Sequence, residues 1–236
     1  MSKQFIGAII LVLLILGGVA VANKHDTVAT SGPAKPTSHI TGAGSKKVTL
    51  VAYEDFQCPF CGQYYPTIRQ VTETYKNDIT FQFHHFPLTN LHQNAFAASR
   101  AAEAAGLQDK PGDSTKFYAM YDILYQRQSQ WSTSNAPQST FEQYAALLKL
   151  DAAKFKLDYA SGQVNDAINA DMAEGNRLGI TGTPTFYLDG KQVQLANSVA
   201  AFSKAIDIEI SKKNPSGISS PTPTSSTDTT AAPANQ

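Results

Sequence analysis

Two periodicities divide residues 46–213 into strand and helix signals, between ends that carry neither. Val48–Asp55 (VTLVAYED) is apolar and β-branched, the pattern of a buried strand. It runs into Phe56-Gln57-Cys58-Pro59-Phe60-Cys61, after which Tyr64, Ile68 and Val71 take up helical spacing to about Tyr75. Ile79–Phe86 reads as a second strand, stopped by Pro87, which has no amide hydrogen for a ladder. A block of helical signals follows. His92–Ala105 carries seven alanines and ends at Gly106. Phe117, Met120, Tyr121, Leu124 and Tyr125 form one buried stripe. Phe141, Ala145 and Leu148 mark another helix, Asp151 is placed to cap the one carrying Phe155 and Tyr159, and Val164, Ile168 and Met172 make the last stripe before Gly179. Strand character returns at Thr185–Leu188, turns at Asp189-Gly190 and continues over Gln192–Leu195. Ser198–Ser211 closes as a helix with Val199, Phe202, Ala205 and Ile206 on one face. The order predicts an α/β fold: a small mixed sheet with a helical subdomain inserted at about residues 91–179.

The ends read differently. Phe5–Ala22 is eighteen residues without a charge, about 27 Å as a helix, preceded by Lys3 on a stub of residues 1–4. It reads as a transmembrane anchor or as a signal peptide cleaved after the small residues Ala20-Val21-Ala22. Either reading puts the rest of the chain outside the cytoplasm. In residues 23–45, 12 of 23 are Pro, Ser, Thr or Gly, the composition of a flexible linker spanning roughly 25 Å. In residues 214–236, 14 of 23 are Pro, Ser or Thr, and the segment reads as a disordered tail.

Composition narrows the function. The chain of 236 residues balances 19 basic against 19 acidic residues, and the domain over 46–213 holds 16 against 17. Without a surplus of Lys and Arg, a nucleic-acid partner is excluded. The two cysteines, Cys58 and Cys61, are too few for a disulfide scaffold or a four-cysteine zinc site.

Cys58-Pro59-Phe60-Cys61 lies where a strand hands over to a helix. Pro59 suits the first helical position. Cys58 then sits at the helix N-terminus, where unpaired amides and the macrodipole favour a thiolate. A lowered pKa makes it both an attacking sulfur and a good leaving group. Cys61, one turn further in, is expected to be more buried and to resolve mixed disulfides. As a structural staple, so short a disulfide loop removes little unfolded-state entropy. As a metal site, the pair needs two more ligands, and only His84, His85 and His92 are available between 46 and 213. His84 and His85, adjacent in a strand, point to opposite faces. Redox chemistry is the reading these residues favour. Gly179-Ile180-Thr181-Gly182-Thr183-Pro184-Thr185 is the second motif, a proline directly before a strand whose X-Pro bond is able to adopt the cis form.

Together, DFQCPFC, HFPL, LHQNAFAASRAAEAAG, KFYAMYDIL and GITGTPTFYLDG resemble the DsbA-type thiol:disulfide oxidoreductases of thioredoxin-like fold, in their membrane-tethered group, over roughly residues 47–210. The resemblance implies that Cys58 is the exposed nucleophile, Cys61 its buried partner and Thr183–Pro184 a cis peptide beside them, with Pro59 and Phe60 supporting the site. It implies no cofactor. It implies reduced or unfolded exported proteins as clients, held by backbone bonds to the cis-proline loop, and a membrane oxidase for recycling. Two departures stand out. An acidic residue often found six positions before the first cysteine is Ala52 here, although Glu54 shares its strand face. The dipeptide between the cysteines is Pro-Phe where the strong oxidants carry Pro-His, and the Phe60 side chain has no hydrogen to donate. The alternatives are a reductase or isomerase of the same fold, or a metal- or client-binding module without turnover. Phe60, Tyr64 and Tyr65 are candidates for loose apolar contact with clients.

Overall fold

The computed structural model describes residues 35–213. The stub, the anchor or signal segment, the linker up to residue 34 and the C-terminal tail lie outside the described residues. Among the described residues no helix is long and apolar enough to cross a membrane.

Five strands form one sheet: β1 (His39–Thr41), β2 (Val48–Glu54), β3 (Ile79–His85), β4 (Thr185–Leu188) and β5 (Lys191–Val193), in the order β1-β3-β2-β4-β5. β2 and β3 are parallel, and the crossover between them is helix α1 (Pro59–Thr74). The remaining pairs are antiparallel. Between β3 and β4 six helices form the insertion: α2 (Ala95–Gly106), α3 (Thr115–Gln126), α4 (Gln128–Trp131), α5 (Pro137–Leu147), α6 (Ala152–Tyr159) and α7 (Gly162–Arg177). α8 (Val199–Lys213) closes the fold.

The strand register explains the core. Val48, Leu50, Ala52 and Glu54 alternate onto one face of β2, and Ile79, Phe81 and Phe83 do so on β3; all are buried. Ile68 and Val71 of α1, Phe202 and Ile206 of α8 and Phe117 and Tyr121 of α3 complete that core. Tyr53, Phe86, Ile180 and Tyr187 form a smaller cluster on the other face, where α7 lies. Gly175 is the point of closest approach: a Cβ there would stand 2.7 Å from the Phe86 ring. Helix propensity favours alanine over glycine by about 1 kcal/mol, but overpacking against a buried ring costs about 1–3 kcal/mol. Gly175→Ala is therefore expected to lose about 1 kcal/mol net, read as a lower urea midpoint at unchanged slope.

From β2 onward the expected element order is the observed one apart from one short helix, and local signals account for its details. Asp151 caps α6 by accepting the Lys154 amide at 2.8 Å. The turn between β4 and β5 takes positive φ at Asp189 (48°) and Gly190 (76°). The second hairpin strand ends at Val193, short of the expected Leu195. The short helix α4 has no counterpart in the expected pattern, because four residues cannot show a period.

The linker assignment over 23–45 needs correction at its C-terminal end. His39–Thr41 is already a sheet strand, pairing antiparallel with Phe81–Phe83. A three-residue strand flanked by polar residues carries no signal of its own; the unpaired edge of β3 supplies its partners. Two anchors hold it. Thr37 donates its amide and hydroxyl to buried Asp171 (2.7 and 2.6 Å), and Tyr118 donates to the His39 carbonyl (2.8 Å). Gly42 then turns the chain at φ 90°, where a Cβ would meet the Ile79 carbonyl oxygen at 2.3 Å.

Candidate active site

β2 delivers the chain to the cysteine turn and α1 leads away from it. Cys58 is the N-cap of α1, with extended backbone (φ −63°, ψ 123°), and Pro59 occupies the first turn. Both cysteines carry free thiols. Thr183–Pro184 is cis, and the loop it forms lies over the turn: the Cys58 sulfur stands 3.4 Å from the Thr183 carbonyl oxygen, to which its protonated form donates. The structure thus brings Cys58, Cys61, Pro59, Thr183 and Pro184 together. It corrects the expected exposure of Cys58, whose residue retains only 4% of its accessible surface under that loop, against 0% for Cys61. Phe60 is the exposed member of the motif, at 63%.

The two sulfurs are tuned in opposite directions. The Cys61 thiol donates to Cys58 and is the largest influence on it; burial opposes, and the Thr183 hydroxyl and the amides of Cys61 and Phe60 add to the lowering, leaving Cys58 at about 5. The Thr183 hydroxyl has no other hydrogen-bond partner, so it is available to the anion. Phe60, which offers no side-chain donor, contributes through its backbone amide instead. Burial pushes the Cys61 thiol well above its ordinary range; its bond to Cys58 and the charges of Glu54 and Cys58 push the same way. At neutral pH one proton is shared by the pair, and it sits on Cys61.

Glu54 is the acid beneath the pair. The apolar alternation of β2 puts it on the core face, two residues on from Ala52, where it is 1% exposed. Tyr125 and Tyr121 of α3 donate to its Oε2 at 2.8 and 3.3 Å, and its Oε1 has no partner. Burial raises its carboxyl to about 7 against the lowering by the two tyrosines, and Cys58 adds to the rise. The role that the sequence left open at Ala52 thus has a candidate at Glu54. Strand alternation was the signal for its face; its tyrosine partners, 67 and 71 residues away, were not readable.

The histidines weighed as metal ligands are each engaged by a carboxylate. His84 Nδ1 lies 2.8 Å from Asp171, His85 Nε2 2.7 Å from Glu103 and His92 Nδ1 2.6 Å from Asp55. His84 and His85 do point to opposite faces, into separate networks. His39, brought in by β1, joins His85 on the same Glu103 oxygen (2.5 and 2.7 Å). Burial works to raise the Glu103 carboxyl, but the two imidazoles outweigh it and hold it at about 2. Among the described residues this is the cluster with ligand atoms within 4.8 Å of one another, and neither cysteine belongs to it.

Beside the thiols, a groove of about 320 Å³ is lined by Phe60, Tyr64, Thr183, Pro184, Phe186 and Val193. Tyr64 is held in its wall by a bond to the Leu195 carbonyl (2.8 Å) and by the rings of Phe186 and Phe202.

A family model described as Thioredoxin matches residues 34–208. The chain is 30% identical over 213 residues to the "Probable disulfide bond formation protein D" of Bacillus cereus, a match covering 86% of this chain and 94% of that protein. It is 32% identical over 168 residues to the Na(+)/H(+) antiporter NhaA 1 of Salinispora arenicola, covering 71% of this chain and 24% of the antiporter. The chain thus spans about a quarter of the length of the antiporters it matches. Among solved structures, oxidised BdbD from Bacillus subtilis is similar at TM-score 0.64 and 17% identity, over 75% of this chain and 97% of that one. The alpha-DsbA1 of Wolbachia pipientis is similar at TM-score 0.64 and 19% identity, over 77% and 94%. The fold, the cysteine turn and these matches agree: the chain belongs to the thioredoxin family, together with the disulfide bond formation protein D of Bacillus cereus.

Proposed function

We propose that this chain is an extracytoplasmic thiol:disulfide oxidoreductase that oxidises cysteine pairs in exported proteins through Cys58 and Cys61. The observation that carries the reading is the opposed tuning of the two sulfurs, Cys58 lowered to about 5 and Cys61 raised well above 9. Stabilising the Cys58 thiolate stabilises the reduced form, which makes the disulfide a stronger oxidant.

In the oxidised form, a client thiolate attacks the Cys58 sulfur. The Cys58–Cys61 bond breaks, a client–Cys58 bond forms, and Cys61 leaves with the electron pair. Its high proton affinity requires a proton at once, and Glu54, half protonated near neutral pH, is the buried donor. A second client thiolate then attacks the client sulfur of the mixed disulfide. Cys58 departs as a thiolate that needs no proton at pH 7. The client has lost two electrons and the pair has gained them. Thr183–Pro184 and the groove beside them present the surface for an extended client segment, with the exposed Phe60 at its edge. A membrane oxidase completes the cycle, and an N-terminal anchor keeps the domain near it; the uncharged apolar segment Phe5–Ala22 supports this placement.

Mixing the oxidised chain with a reduced dithiol peptide tests the reading: one disulfide formed in the peptide per chain reduced is expected, and no transfer would contradict it. The tuning also sets a pH slope. Between pH 6 and 8 the reduced pair holds one proton per two electrons, so the reduction potential is expected to fall by about 30 mV per pH unit, steepening to about 59 mV below pH 5. A uniform 59 mV slope up to pH 8 would place the Cys58 pKa above that range.

A further inference from the structure

Asp55, the residue that follows β2, faces both cysteines with its main chain. Its carbonyl accepts the Cys58 amide at 3.0 Å, and its own amide favours the Cys61 thiolate. Its side chain is fully buried and is satisfied by three donors: the amides of Gln57 (2.7 Å) and Leu88 (2.9 Å), and His92 Nδ1 (2.6 Å). A buried carboxylate only accepts, so His92 is the donor in that bond. His92 lies in the loop between β3 and α2, and its side chain is 17% exposed. The bond therefore ties the turn that carries Cys58 to the entrance of the helical insertion.

Neutral amides hold the same turn from other sides. Gln128 donates to the Cys58 and Phe56 carbonyls (3.0 and 2.8 Å), and Gln57 accepts the Asn94 amide (2.6 Å) while donating to the Ser132 carbonyl (2.7 Å). The His92–Asp55 bond differs in having an ionisable acceptor, which makes it the stronger clamp. Its loss leaves a buried carboxylate short of a donor, a vacancy the turn relieves only by moving.

We propose that His92 is a positioning residue for the dithiol, acting through Asp55 to hold the Cys58 turn against the α1 N-terminus. The consequence for turnover rests on the oxidoreductase reading; the geometry of the thiol site does not. With the clamp gone, the Phe60 and Cys61 amides lose alignment on the Cys58 sulfur, and its thiolate becomes less favoured.

The test is a pH titration of the reduced full chain, followed by thiolate ultraviolet absorbance and by the alkylation rate of Cys58. His92→Leu is expected to move the Cys58 midpoint up by about one pH unit, a tenfold loss of thiolate at low pH. His92→Asn, whose amide nitrogen stands where Nδ1 does, is expected to titrate with the unsubstituted chain. His92→Gln, of equal polarity but with its amide a bond further out, is expected to follow leucine; it serves if the leucine variant does not fold. A midpoint unchanged in both the leucine and glutamine variants, with only the melting temperature lowered, would overturn the proposal. So would an asparagine variant shifted as far as the glutamine one. No substrate enters the titration, so a chain that failed to oxidise any client would still decide this point.

Discussion

Cys58→Ser is expected to abolish dithiol oxidation, and Cys61→Ser to abolish it equally while leaving Cys58 bound to clients as a persistent mixed disulfide. The difference follows from how each sulfur is placed. With its pKa at about 5, Cys58 is almost entirely thiolate at pH 7, and it lies between Thr183 and Phe60, which line the groove. A serine hydroxyl there has no comparable anion. In that variant the remaining Cys61 is completely buried and its thiol holds its proton well above pH 9, so it forms no adduct. In the Cys61→Ser variant, Cys58 still attacks a client disulfide, but no second thiol stands behind it to release the client. Non-reducing electrophoresis after acid quenching separates the outcomes: client adducts for Cys61→Ser and none for Cys58→Ser. Adducts on Cys58→Ser, or full oxidation by either variant, would remove the pair from the chemistry.

Glu54→Gln is expected to stabilise the reduced protein in a pH-dependent way. The carboxyl titrates at about 7 in the folded chain, above its ordinary value of 4.5. Below pH 4.5 it is protonated in both states, so its ionisation costs folding nothing. As pH rises the unfolded chain ionises first, and the folded state loses about 1.4 kcal/mol per unit until its own carboxyl ionises near 7. Above that the penalty is constant at about 3 kcal/mol. Glutamine has no such penalty and keeps an oxygen for the Tyr121 and Tyr125 hydroxyls. The stability of the variant relative to the unsubstituted chain is therefore expected to improve by about 3 kcal/mol between pH 4 and pH 8, measured by urea unfolding with both cysteines reduced. Client oxidation by the variant is expected to slow and to lose its pH dependence near 7, because no buried proton remains for Cys61. Parallel stability curves across that range would mean that Glu54 is not held protonated by burial.

The architecture was legible wherever a period had room to show. β2, β3 and the helices of the insertion announce themselves through apolar alternation or stripes, and the Asp189-Gly190 turn through its residue types. β1 was not legible, because three residues among Ser, Thr and Gly hold no pattern; what orders them is the edge of β3 and the carboxylate of Asp171, both far along the chain. The site divides in the same way. Cys58, Cys61, Thr183 and Pro184 are visible as motifs. The contacts that tune them are visible only in three dimensions: those of Glu54, whose strand face alone was readable, with tyrosines of α3, and that of Asp55 with His92. The Pro-Phe dipeptide shows why side-chain chemistry alone misleads. Phe60 supplies no donor from its ring, yet the thiolate is favoured, first by the Cys61 thiol and then by the Thr183 hydroxyl and the amides of Cys61 and Phe60.

Direction of electron flow is the centre of the account, and equilibration of the Cys58–Cys61 pair in glutathione buffers at pH 7 reads it directly. A Cys58 thiol at about 5 predicts a reduction potential more positive than about −200 mV, the range of disulfide donors. A potential near about −270 mV, the range of thioredoxin, would contradict it and make this chain a reductase.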